Sequence, residues 1–134
     1  MVSAPQLHRR DHVLTGARIL ILEDQVDVAD RLVAAVTDAG GDVVAVARTI
    51  DRALALIQSE AISAAIITMS VGGVHTEAAA RELIRRNIPF AVTTGIGSLA
   101  RNPALHGALS ITKPFQNEYV QMVLADLLGR RSDQ

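Results

Sequence analysis

The chain has 134 residues, of which 49% are hydrophobic and 20% charged, a size and balance that fit one folded domain and exclude disorder throughout. Thirteen basic residues against fourteen acidic ones leave a net charge of -1, which argues against a broad phosphate-backbone or anionic-lipid footprint. Cysteine is absent, excluding a disulfide framework, a thiolate nucleophile and Cys-based zinc or iron–sulfur sites.

Residues 1–17 are polar and unpatterned, and are expected to form a flexible extension. RILILE (18–23) is an apolar run ending in acid, bounded like a buried strand. From Val28 the apolar residues recur at helical spacing up to Ala39, where Gly40-Gly41 supplies a stop. DVVAVA (42–47) predicts a second strand, and Thr49 is placed to cap a helix with Ile50, Ala53, Leu54 and Ile57 inward. AAIITM (64–69) predicts a third strand, followed by a turn at Gly72-Gly73. Residues 76–86 read as a helix with Leu83 inward and Arg81, Glu82, Arg85 and Arg86 outward. PFAVTT (89–94) predicts a fourth strand, with Gly95 and Gly97 opening the next loop. A short helix is expected over 98–105, ended by Asn102-Pro103. Residues 108–112 predict a fifth strand, and Asn117 is expected to cap a last helix carrying Val120, Val123, Leu124, Leu127 and Leu128. Residues 18–129 form the expected domain and 130–134 a short tail.

Alternating units of this length define a (βα)5 chain, and hence an α/β fold with a five-stranded parallel sheet covered by helices on both faces. Ligands and chemistry in such sheets sit at the carboxyl ends of the strands. The residues there are Glu23-Asp24, Thr68, Thr94 and Lys113. The adjacent carboxylates are costly without a neutralising cation, as in an oxygen-ligand Mg²⁺ site; taken alone, they are read first as a solvated acidic turn that caps the next helix. Lys113 is the only lysine among thirteen basic residues. Pro114 follows it in a tight post-strand turn, where a cis peptide is expected.

Together these strand ends resemble the receiver domain of two-component response regulators. The resemblance spans about residues 17–129 and rests on LEDQ, AAIITMSVGG, FAVTTG and TKPF at matching intervals. It implies a CheY-like, flavodoxin-like doubly wound fold. It assigns metal-side roles to Glu23 and Asp24, the switch hydroxyl to Thr94 and the phosphate-contacting cation to Lys113. In a typical receiver a third carboxylate, an aspartate ending strand three, takes phosphate from a histidine kinase. Here that position is Thr68, and no Asp or Glu occurs between residues 61 and 76 to replace it. The switch position three residues before the lysine, usually aromatic, is Ser110.

A threonine hydroxyl is a poor nucleophile without a base, so the implied protein is a pseudo-receiver that is not phosphorylated. With two carboxylates in place of three, any Mg²⁺ site at Glu23 and Asp24 is weak or vestigial, and no cofactor is expected. No credible nucleophile–base pair supports an enzyme. The expected role is phosphorelay signalling by contact with a histidine kinase or another signalling protein, through roughly residues 98–128, with self-association of two copies compatible. The alternative is a small-ligand sensor using the loop at 95–98 and the vacated pocket. The aromatics Phe90, Phe115 and Tyr119 are too few to stack on nucleic acid bases. His8, His12, His75 and His106 are scattered over tail and loops; His8 and His12 stand four apart in the extension, but no metal site is expected there. The N-terminus lacks an apolar signal core, and the longest uncharged stretch, 61–74, is short of the roughly 20 residues of a spanning helix, so a cytoplasmic protein is expected.

Overall fold

The computed structural model describes residues 12–94 and 108–132. In chain order the elements are β1 (Arg18–Leu22), α1 (Val26–Asp38), β2 (Asp42–Ala47), α2 (Ile50–Ser59) and β3 (Ala64–Thr68). A short pair, β4 (Ser70–Val71) and β5 (Val74–His75), precedes α3 (Glu77–Arg85), β6 (Phe90–Thr94), β7 (Leu109–Thr112) and α4 (Asn117–Ser132). The expected loop at 95–98, the helix over 98–105, His8 and His106 lie outside the described residues.

The main sheet is parallel in the order β2-β1-β3-β6-β7. The chain runs outward from β1 to β2 and then returns across β1 to β3, so the topological switch point falls between β1 and β3. Every residue of β3 and β6 is buried, because helices cover both faces and neither strand needs polar alternation. Strand alternation instead sorts side chains between two cores. Leu20, Leu22, Ile67, Phe90 and Val92 pack with Ala53, Leu56 and Ile57 of α2 and Leu83 of α3. Ile19, Ile21, Ile66, Ala91 and Ile111 pack with Leu32 and Val36 of α1 and Val120, Leu124 and Leu127 of α4.

Local signals work as their chemistry requires. Gly40 ends α1 at a φ of 86°, a left-handed conformation that costs glycine nothing, and the N–H of Gly41 returns to Val36 O at 2.9 Å. The Thr49 hydroxyl accepts the N–H of Arg52 at 3.1 Å, capping α2. On α3, Glu82 accepts from Arg85 and Arg86, and these hydrogen bonds hold its carboxyl at about 2. Among the described residues no helix is long and apolar enough to cross a membrane.

The structure departs from expectation in three places. Gly72-Gly73 is the tip of an antiparallel hairpin and not a bare turn, with Ser70 opposite His75 and Val71 opposite Val74. Asn117 is the first helical residue of α4 and not its cap; its amide reaches Asp38 Oδ2 at 3.4 Å, and the helix continues to Ser132, past the expected boundary at 129. Packing also begins before residue 18. Leu14 is fully buried against the α1 and α4 side of the sheet, and its N–H donates to Ala39 O at 2.9 Å.

That last difference is measurable. Leu14→Ala should lower unfolding stability by about 2–5 kcal/mol, the range for truncating a buried leucine. Chemical denaturation checks it; a change within about 0.5 kcal/mol would mean the segment contributes no packing.

Candidate functional site

Glu23 and Asp24 follow β1 directly, Thr68 ends β3, and Thr94 ends β6. Lys113 follows β7, and its N–H donates to Thr94 O at 2.9 Å, extending the β6–β7 pairing past Thr112. The Lys113–Pro114 bond is cis, as the sequence leads one to expect. All five residues therefore stand at the carboxyl edge of the sheet, with Glu23-Asp24 and Thr68 flanking the switch point.

Glu23 is 1% exposed. Its Oε2 accepts the N–H of Gln25 at 3.1 Å, while Oε1 is buried without a hydrogen-bond partner and lies 3.6 Å from Lys113 Nζ. Burial pushes this carboxyl above the ordinary carboxylate range; the Gln25 N–H and the Lys113 ammonium pull the other way. Asp24 is exposed and behaves oppositely. Its Oδ2 accepts the N–H of Gly72, 48 residues along the chain, at 2.9 Å, and this bond holds the carboxyl below its usual value. The adjacent carboxylates thus have separate partners, one a cation and one a backbone dipole.

Thr68 is buried, and its carbonyl accepts the Thr76 hydroxyl at 2.5 Å. In register it faces Thr93 of β6, whereas Thr94 faces Thr112 of β7. Thr93 is 1% exposed and its hydroxyl has no hydrogen-bond partner in the protein. The strand-end pattern points to Thr94 and passes over Thr93, although counting the register from Ala65 opposite Phe90 finds it. Thr76 and Gly72 are likewise absent from the pattern; for Gly72 the Gly-Gly pair is the available signal. Ser110 lies on β7, and its carbonyl accepts the hydroxyl of Tyr119 from α4 at 3.0 Å. Among the described residues no group of three or more His, Cys, Asp or Glu side chains is placed to hold a metal ion.

Solved structures share this fold. SdrG from Sphingomonas melonis Fr1 is 31% identical with a TM-score of 0.75, the match covering 87% of this chain and 98% of that one. The response regulator PhyR from Brucella abortus is 24% identical, TM-score 0.78, over 98% of this chain and 55% of that one. A variant of the anti-anti-sigma factor PhyR from Bartonella quintana is 18% identical, TM-score 0.79, over 99% of this chain and 56% of that one. This chain therefore spans about half the length of the two PhyR chains. No family model and no curated protein sequence matches it. The chain belongs to the response regulator receiver domains, with the CheY-like, flavodoxin-like fold.

The Glu23–Lys113 pair makes a pH-dependent prediction. A carboxyl whose folded value is raised contributes stability that is present below its unfolded value and lost as pH rises through the folded value. Lys113 offsets that loss. Lys113→Met should therefore cost about 1–3 kcal/mol at a pH high enough to ionise Glu23, which is then charged and alone, and little in acid, where Glu23 is neutral. Denaturation of variant and parent at both pH values checks this; an equal cost in acid would show that Lys113 acts by packing alone.

Proposed function

We propose that this receiver does not take phosphate and signals by protein–protein contact. The observation that carries the reading is Thr68, buried at the end of β3 in the position where a receiver carries its acceptor carboxylate. An ionised carboxylate can attack a phosphorylated histidine directly, whereas a threonine hydroxyl must first lose its proton. Glu23 is a poor base for that step, since its one oxygen is bonded to Gln25 N–H and the other faces the Lys113 ammonium. The same geometry disfavours Mg²⁺, which would meet two carboxylates already engaged and a hydroxyl.

The surface that remains for output is the edge strand β7 with α4. Gln121 donates to Ala35 O at 3.0 Å and pins α4 onto α1, so Tyr119 and Met122 stand exposed on the outer side. Together with β7 these residues form the described part of the expected contact region, residues 108–128. A partner of the class implied by an anti-anti-sigma relative, a regulatory protein recognised by surface contact, suits such a face. A histidine kinase docking without phosphotransfer suits it as well. The ligand-sensor alternative rests on residues 95–98, outside the described residues, and nothing in the geometry favours it.

The protein incubated with acetyl phosphate and Mg²⁺ should show no added mass; a phosphoryl adduct of about 80 Da would sink the reading. Thr68→Asp should regain Mg²⁺ binding and some phosphorylation, because it restores the third carboxylate beside Glu23, Asp24 and Lys113. Phosphorylated Thr68→Asp should change little in amide exchange over β7 and α4 unless Ser110→Tyr is added. Large changes without that second substitution would show that the switch never needed an aromatic at 110.

A further inference from the structure

The β4–β5 hairpin reaches back to a carboxylate 48 residues away, and nothing in the chain's local structure requires that contact. We propose that this hairpin is a strap that stands in for a divalent cation at Asp24, closing the acidic end of β1 in the metal-free protein. The inference rests on the reading of Thr68 above, and deepens it by naming what neutralises the pocket instead.

The strap is built for this contact. Gly72 and Gly73 sit at φ values of 55° and 80°, and a Cβ at either would meet nothing within 4 Å. Glycine is therefore needed there for the left-handed backbone and not for space. Two consecutive residues of positive φ between paired Val71 and Val74 make the tight hairpin turn whose twist matches the strands. In that turn the first central N–H has no partner within the hairpin, so Gly72 N–H is free to donate outward. It does so, to Asp24 Oδ2.

The base of the strap is fixed on both sides. Val71 is buried in the core under α2 and α3. Thr76 is fully buried, its hydroxyl donates to Thr68 O at 2.5 Å and Met69 O at 3.2 Å, and its N–H donates to Met69 O at 3.0 Å. Its carbonyl then accepts Ala80 N–H, opening α3. With the base held this way, the tip position is determined by the fold.

A divalent cation does not fit the same donors. It would need Asp24 oxygens of which one is already bonded, and Glu23, whose free oxygen faces a lysine ammonium at 3.6 Å. The third carboxylate is replaced by a hydroxyl. The N–H dipole at Asp24 and the ammonium at Glu23 divide between them the neutralisation a cation would supply. Cation and strap therefore compete for Asp24.

Amide exchange of the hairpin tests this, with core amides such as Ile66 as the measure of global opening. In Asp24→Ala, Gly72 should exchange roughly tenfold faster or more than in the parent, while Ile66 is unchanged. Asp24→Asn keeps an acceptor oxygen without the charge and should fall between the two. In Thr68→Asp, Mg²⁺ should bind and speed exchange at Gly72 as Asp24 is drawn to the metal. The strap is refuted if Asp24→Ala leaves Gly72 exchange unchanged, or if Mg²⁺ binds Thr68→Asp with the hairpin still protected. Failure of the parent reading looks different: a phosphoryl adduct on the unmodified protein, with the hairpin response to Asp24→Ala intact.

Discussion

A carboxylate buried at the end of a central strand has to be answered by a positive charge, and in this chain Lys113 answers it. Glu23 follows β1, which is flanked by β2 and β3 and covered on both faces, so water does not reach its Oε1. Desolvation of that oxygen is the largest influence on the group, and the ammonium 3.6 Å away opposes it. The pairing also ties the first strand of the sheet to the last segment before α4, across β3 and β6. In a phosphate-accepting pocket the same lysine would be needed for the phosphoryl group. Here it is committed to Glu23, and this commitment keeps the strand ends together without any ligand.

Much of this was legible in the sequence. Apolar runs with helical stretches between them dictate a parallel sheet, and each run ends where chemistry in such sheets resides. RILILE followed by Asp24 places two carboxylates at a strand end, and LSIT followed by Lys-Pro places the cation; both are local statements and both hold in the fold. Thr68 was equally readable, since no carboxylate lies near enough in sequence to take its place. What was not legible is non-local. The Gly72–Asp24 bond depends on a hairpin whose strands are two residues each, too short for any periodic signal. Leu14 follows Val13 in a polar segment with no periodic pattern, and only the returning end of α1, with Ala39 O positioned to accept its N–H, gives it a place. Thr93 hides behind Thr94: two identical neighbours at a strand end point to opposite faces, and register decides which one faces Thr68.

The hydroxyl at 68 changes more than the acceptor. A receiver with three carboxylates holds concentrated negative charge that only a cation or a phosphoryl-metal complex relieves, so its pocket is intrinsically responsive to ligands. With Thr68 and Thr93 side by side in register, the end of β3 and its neighbour on β6 carry no charge. The remaining acidic pair is then within the capacity of one ammonium and one backbone N–H. Thr76 uses the same economy of charge, satisfying Thr68 O with its hydroxyl and Met69 O with its backbone N–H. The charges of this pocket are thus answered within the chain, although Glu23 Oε1 and the Thr93 hydroxyl keep no hydrogen-bond partner there.

That has a consequence for signalling. A ligand shifts a conformational equilibrium only by the difference in its affinity for the two states, and a ligand that binds both equally shifts nothing. If Lys113 and Gly72 close the pocket as proposed, phosphate and metal find no such difference to exploit. The helix that carries the exposed Tyr119 and Met122 is in turn joined to α1 through Gln121 and to β7 through the Tyr119 hydroxyl. On the proposed reading, control lies outside the pocket, in how much of this chain is present and in what competes for the same partner surface. A receiver fold used as proposed would act as a docking module, with affinity for its partner in place of phosphorylation as the quantity on which the signal depends.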